Sequence, residues 1–128
     1  MIAVRLCLVL TALLLITGPG RAEEVLGTWT SDKGGMRVKF EPCGDALCGN
    51  MVWLKPGSDS KARLGDRLFY DMRPDGQDSW TGKANYRGSV YLGKMSIEEG
   101  TILRTSGCII GGVFCKSAIW RRAPQAGE

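Results

Sequence analysis

The chain has 128 residues, of which 17 are basic and 13 acidic, with no histidine and a formal net charge of +4. That length bounds a single domain, and the absence of histidine excludes Ser-His-Asp and Cys-His catalysis. No Lys/Arg run exceeds two residues, so nucleic acid is not an expected partner.

Met1 to Arg5 is a short n-region with one positive charge, and Leu6 to Ile16 is apolar apart from Thr11. Gly20 and Ala22 then place small residues at the −3 and −1 positions of a cleavage site. This layout predicts a secretory signal peptide over residues 1–22 and a folded domain over 23–128. The apolar run is shorter than the roughly 20 residues a bilayer span requires, so no stable membrane insertion is expected after cleavage. Arg5 and Arg21 leave with the segment, and so does Cys7, a filler of its apolar run.

Val25 to Thr30 reads as the first strand, turned by Asp32 to Gly35. Met36, Val38 and Phe40 then alternate with Arg37, Lys39 and Glu41, a period of two with one wet face, and Pro42 is expected to end that strand. Gly44 and Asp45 make a tight connection between Cys43 and Cys48. Gly49 to Lys55 is a third strand, and Pro56 to Gly65 is the longest polar stretch, expected to be a mobile loop. Leu68 to Met72 follows, stopped by an Arg73 to Gly76 turn in which Pro74 presets φ and Gly76 accepts the left-handed region. Ser79 to Ala84, a turn over Asn85 to Gly88, and Ser89 to Ile97 come next, with Gly93 a bend or bulge. Glu98 to Gly100 turns the chain into Thr101 to Ser106. Gly111 and Gly112 are a two-residue hairpin signal placing Cys108 opposite Cys115, and Val113 to Arg122 closes the domain. Ala123 to Glu128 is expected to fray.

This gives about eight strands at short spacing and no amphipathic helix. Both a closed up-and-down antiparallel barrel and a sandwich fit; the all-β barrel, which leaves no exposed edge, is the expected fold.

Cys43, Cys48, Cys108 and Cys115 remain after processing. An even count in a small exported domain favours disulfides, and three pairings are open. Local geometry favours 43–48 and 108–115, because cross-strand Cα distances of about 4.5–5.5 Å lie within disulfide range. A two-residue loop would make 108 and 115 a hydrogen-bonded pair; a four-residue loop would give the closer, non-hydrogen-bonded pair. Zinc would need all four thiolates at unsuitable spacing, so no metal is expected.

There is no nucleophile elbow, phosphate loop or dinucleotide fingerprint. Asp66, Asp71, Asp75 and Asp78 are close in sequence but sit beside Arg67, Arg73 and turn residues, and Asp32, Asp45 and Asp59 occupy ordinary turn positions. The stretch from Asp75 to Asp78 lacks the alternating acids of a calcium loop. No enzyme activity and no cofactor are expected. The aromatic residues are the better candidates. Trp53, Tyr70, Trp80 and Tyr91 could line an apolar cavity with a few polar handles, and Arg87 or Arg104 could meet an acidic headgroup. Core filling is the competing role for the same rings.

Gly27-Thr28-Trp29 on the first strand and Trp120-Arg121-Arg122 on the last resemble the calycin group, lipocalins and their relatives. There a Gly-x-Trp packs near an arginine of the last strand and closes the barrel base. Phe114, Ala118, Trp120 and Arg122 share one strand face, so the resemblance implies closure through Trp29 and Arg122. The ordered set of Gly27-Thr28-Trp29, the Cys43 to Gly49 block with Val52-Trp53-Leu54-Lys55, the Trp80 to Gly82 and Tyr86 to Gly88 motifs, and the Gly107 to Arg122 block resembles the secreted family called domain of unknown function 2147. That resemblance implies a small lipocalin-like barrel in the periplasm or outside a Gram-negative bacterium, and no established reaction. Between Lys55 and Arg67 the chain departs from the family pattern, which carries a longer Asn/Pro-rich insert.

The expected function is binding of a small hydrophobic or amphipathic ligand by an exported barrel. The alternative is a protein partner, as for a lysozyme inhibitor. Ser89 to Lys94 faintly resembles the Ser- and Lys-bearing strand motif of such inhibitors.

Overall fold

The computed structural model describes residues 24–57, 62–109 and 111–123. The expected signal peptide, the Asp59 turn, the centre of the Pro56–Gly65 stretch and the end of the C-terminal tail lie outside them. Eight strands follow one another: β1 (Gly27–Ser31), β2 (Met36–Cys43), β3 (Ala46–Leu54), β4 (Arg67–Pro74), β5 (Ser79–Tyr86), β6 (Ser89–Glu98), β7 (Ile102–Ile109) and β8 (Phe114–Arg122). Each pairs with its sequence neighbours, and β1 pairs with β8, closing an antiparallel up-and-down barrel.

Alternation decides which side chains enter the barrel. Trp29, Val38, Phe40, Met72, Trp80, Met95, Leu103 and Trp120 are buried and fill its lower half, the end that carries the β2–β3, β4–β5 and β6–β7 turns. Burying one such side chain contributes about 2–3 kcal/mol. Close approach leaves no room for a side chain at Gly49 and Gly82. A Cβ on Gly49 would sit 2.8 Å from the Phe40 ring that lies over it, and one on Gly82 would sit 2.5 Å from the Asp71 carbonyl oxygen. Asp71 itself has φ 52, where the β4–β5 register shifts.

Several strand ends differ from the sequence reading. β2 runs through Pro42 to Cys43, with Pro42 opposite Leu47. β1 begins at Gly27, opposite Phe40, so the missing Pro42 N–H faces a flank where no ladder bond is required. β3 starts at Ala46 and β5 extends to Tyr86, because Gly44–Asp45 and Arg87–Gly88 are two-residue turns. β4 continues through Pro74, opposite Trp80, and the turn falls after it.

Disulfides Cys43–Cys48 and Cys108–Cys115 pin two hairpins at opposite ends. The first is diagonal: Cys43 faces Ala46 across the ladder and Cys48 faces Glu41. The second joins directly opposed residues with Cα atoms 4.1 Å apart. Ile109 pairs with Phe114, so Gly111 and Gly112 belong to a four-residue connection over 110–113, which gives the closer pair.

Candidate functional site

The two barrel ends differ. At the lower end the Arg122 guanidinium lies 4.1 Å over the Trp29 ring, donates to the Leu26 carbonyl at 2.7 Å and also donates to the Glu24 carbonyl. The Trp29 indole N–H donates to the Val25 carbonyl at 2.8 Å. Val25 and Ala123 are buried here, and the Ala123 amide donates to the Thr28 carbonyl at 2.9 Å. The chain entering β1 and the chain leaving β8 thus stopper the base.

The upper end is open along one flank. β1 meets β8 only from Ser31–Trp120 to Trp29–Arg122, extended by the Asp32 amide donating to the Ile119 carbonyl at 2.8 Å. Above that point β1 has turned, and Phe114 to Ala118 of β8 pair with β7 alone among the described residues. Counting back from buried Trp120, the positions that alternate to the lumen are Ala118, Lys116 and Phe114, and all three are exposed. The same counting places Tyr86, Tyr91 and Ile109 on the lumenal face of β5, β6 and β7.

One contact fixes this orientation. The Lys116 ammonium lies 5.2 Å over the Tyr86 ring, and the Arg87 guanidinium also lies 5.2 Å over it. Lys116 is on β8 and Tyr86 on β5, three inter-strand steps of about 4.8 Å apart. Side chains so far apart around a barrel converge on the concave inner face and diverge on the outer one. The mouth is therefore walled by Tyr86, Tyr91, Ile109 and Phe114, with Lys116 reaching across it.

The four aromatic residues singled out from the sequence are not brought together. Trp53 lies opposite Arg37, whose guanidinium stacks 5.0 Å over its ring. Tyr70 lies opposite Lys83, whose ammonium is 5.7 Å from the ring. Both are half-buried and neighbour inward-facing residues, which places them on the outer wall. Trp80 is in the core, where its indole N–H has no hydrogen-bond partner among the described residues. Tyr91 alone of the four belongs to the mouth, half-buried against the core. Arg87 is at the mouth, whereas Arg104 is held to Glu98 at 3.0 Å on the outer wall.

Lys116, Ile109 and Tyr86 lie within the Tyr86 to Gly88 motif and the Gly107 to Arg122 block, neither of which marks them as binding residues. Their only signal is the alternation that leads back from Trp120 and forward from Trp80, read together with the early turn after β1.

An open groove of about 330 Å³ on the outer face of β5 to β7 is lined by Asp75, Ser79, Thr81, Lys94, Ser96, Arg104 and Ser106 and reaches Trp80 and Met95. Its one arginine is already engaged by Glu98. Asp32, Asp45 and Asp71 are held in exposed ion pairs. Arg73 bonds Asp45 at 3.0 Å and Asp71 at 2.9 Å, and Arg121 bonds Asp32 at 3.2 Å. The Arg73 hydrogen bond and charge hold the Asp45 carboxyl below its ordinary range. Among the described residues no group of three or more His, Cys, Asp or Glu is placed to hold a metal. None of their helices is long and apolar enough to cross a membrane.

No curated protein matches the chain significantly. Among solved structures it is similar to protein HP1028 of Helicobacter pylori, described as belonging to the lipocalin family. The likeness has a TM-score of 0.61 and 15% identity, over 78% of this chain and 83% of that one. At that identity the likeness establishes the fold, a lipocalin-like barrel. The model of the family described as "uncharacterized protein conserved in bacteria (DUF2147)" matches residues 27–122, and the chain belongs to that family.

Proposed function

We propose that this is an exported, non-enzymatic binding protein of the bacterial envelope, which holds a small amphipathic molecule with an acidic head in the upper mouth of its barrel. The observation that carries the proposal is the Lys116 ammonium lying over Tyr86 across an opening walled by apolar side chains. Ligand sites of this kind combine an apolar lining with a few placed polar groups. Phe114, Ile109 and Tyr91 supply the apolar wall, and Lys116 and Arg87 supply the counter-charge. Exchanging a ring contact for a carboxylate or phosphate gives the Lys116 ammonium charge-assisted hydrogen bonds, which are stronger than its contact with the ring. The two disulfides fit an oxidising compartment, which supports processing after Ala22 and a periplasmic or secreted location.

The test is a tryptophan-fluorescence titration with laurate and with lauryl alcohol. Laurate binds more tightly than the alcohol, and Lys116→Gln weakens laurate about tenfold, the size of a charge-assisted hydrogen bond of roughly 1.5 kcal/mol, while leaving the alcohol unchanged. Equal affinity for acid and alcohol in the unmodified protein overturns the assignment of Lys116.

A further inference from the structure

Six large apolar side chains stand exposed on two neighbouring hairpins: Tyr86, Val90 and Leu92 on β5–β6, and Ile109, Val113 and Phe114 on β7–β8. Val113 is 71% exposed, Phe114 62% and Val90 58%. Tyr86, Ile109 and Phe114 face the lumen and Val90 and Leu92 the outer wall, so apolar side chains lie on both faces of the upper rim, a concentration that marks an interaction surface. The hairpins form one unit, because Leu92 pairs with Cys108 and Lys116 of the second reaches Tyr86 of the first. The tip of the second also folds over the first: a Cβ on Gly112 would lie 3.2 Å from the Lys94 ammonium and 3.5 Å from a Leu92 methyl.

Charge on these hairpins has one sign. Lys83, Arg87, Lys94 and Lys116 are basic, and no acid occurs from Lys83 to Lys94 or from Thr105 to Ile119. The turns of the lower end carry Asp45, Asp75, Glu98 and Glu99 instead.

We propose that these hairpin tips dock on the surface of an anionic lipid bilayer. Val90 and Val113 enter the boundary between headgroups and acyl chains, while Arg87 and Lys94 meet lipid phosphates. Apolar groups at the rim of the barrel suit a deformable apolar medium that needs no matching pocket. Basic residues near an anionic leaflet add attraction that falls with salt. A second copy placed on the same patch would set cations against cations. Arg87 belongs to the mouth as well, but the variants that test the inference, at Val90, Val113 and Lys94, lie outside it and so separate it from the ligand reading.

The test uses protein recovered from an exporting host, its N-terminus read by mass spectrometry. It is sedimented with vesicles of phosphatidylglycerol and phosphatidylethanolamine, and with vesicles of phosphatidylcholine. Strong, salt-sensitive binding to the first and weak binding to the second is expected. Val90→Ser combined with Val113→Ser lowers partitioning by roughly tenfold or more, and Lys94→Gln lowers it about fivefold. Both variants keep the parent melting temperature and laurate affinity, whereas Lys116→Gln loses laurate selectivity and still sediments with anionic vesicles. The proposal is overturned by equal binding to both vesicle types, by unchanged partitioning in the valine and Lys94 variants alike, or by no sedimentation at all. It is equally overturned by a concentration-dependent dimer that the valine variant abolishes without any vesicle binding, which would assign the patch to a second copy.

Discussion

Three tryptophans fill the lower barrel, and their polar atoms have different fates. The Trp120 N–H donates to the Thr105 hydroxyl at 2.8 Å, both residues being buried. The Trp80 N–H is buried with no hydrogen-bond partner among the described residues. Replacing either by phenylalanine removes similar volume, but only one replacement breaks a hydrogen bond. Trp120→Phe should therefore destabilise by about 1–2 kcal/mol more than Trp80→Phe in urea unfolding. An equal loss would show that the Trp120–Thr105 bond contributes nothing net. Asp45 offers a second test at this scale. Its folded pKa is depressed, first by the hydrogen bond from Arg73 and then by that residue's charge. The contribution of the pair is present above the ordinary carboxylate value and is lost as pH falls through the lower folded value. A carbon-13 titration of Asp45 should show the depressed midpoint, and Arg73→Gln should return it to the usual range. High salt should shrink the difference, because both side chains are exposed.

At the scale of elements, turns and crosslinks set the strand lengths. Pro42 lies inside β2 because β1 has not yet begun beside it. Pro74 lies in β4 with its turn displaced past it. In both places local proline chemistry is a correct rule whose outcome depends on the neighbouring strand, which the sequence does not display. The disulfides close short loops, with sequence separations of 5 and 7. Loop-closure entropy gives each about 2 kcal/mol. Replacing the Cys43–Cys48 pair by serines, or the Cys108–Cys115 pair, should each lower the unfolding free energy by that amount in non-reducing urea titrations. A reductant should bring the parent protein down by the sum. No change on reduction would mean that the tight hairpin turns already restrict the unfolded chain to the same degree.

Across the whole molecule, one asymmetry organises the rest: a short β1 beside a long β8. The base is closed by Arg122 over Trp29, and among the described residues the flank above Ile119 is left without a partner strand. Hydrogen exchange should report this directly. The 4.1 Å Cα separation marks Cys108–Cys115 as a non-hydrogen-bonded pair, so the Cys115 amide and, by alternation, that of Ser117 point to the open flank. These two amides should exchange well before that of Arg121, which lies between paired strands on both sides. Uniform protection along β8 would contradict an open mouth.

The alternation of Met36, Val38 and Phe40 and the regular turn signals were enough, by themselves, to determine an all-β fold, with barrel and sandwich both open, because period and turn chemistry are local properties; the ordered motifs from Gly27-Thr28-Trp29 to Trp120-Arg121-Arg122 carried the resemblance to the family. The same locality made the aromatic residues look like one set of candidates. Only the tertiary structure separated them, sending Trp80 to the core, Trp53 and Tyr70 outside and Tyr91 to the mouth. It brought Lys116 to Tyr86 from a segment thirty residues distant in the chain. Which strand face curves inward, and where a neighbouring strand stops, are facts of barrel closure that no window of sequence contains.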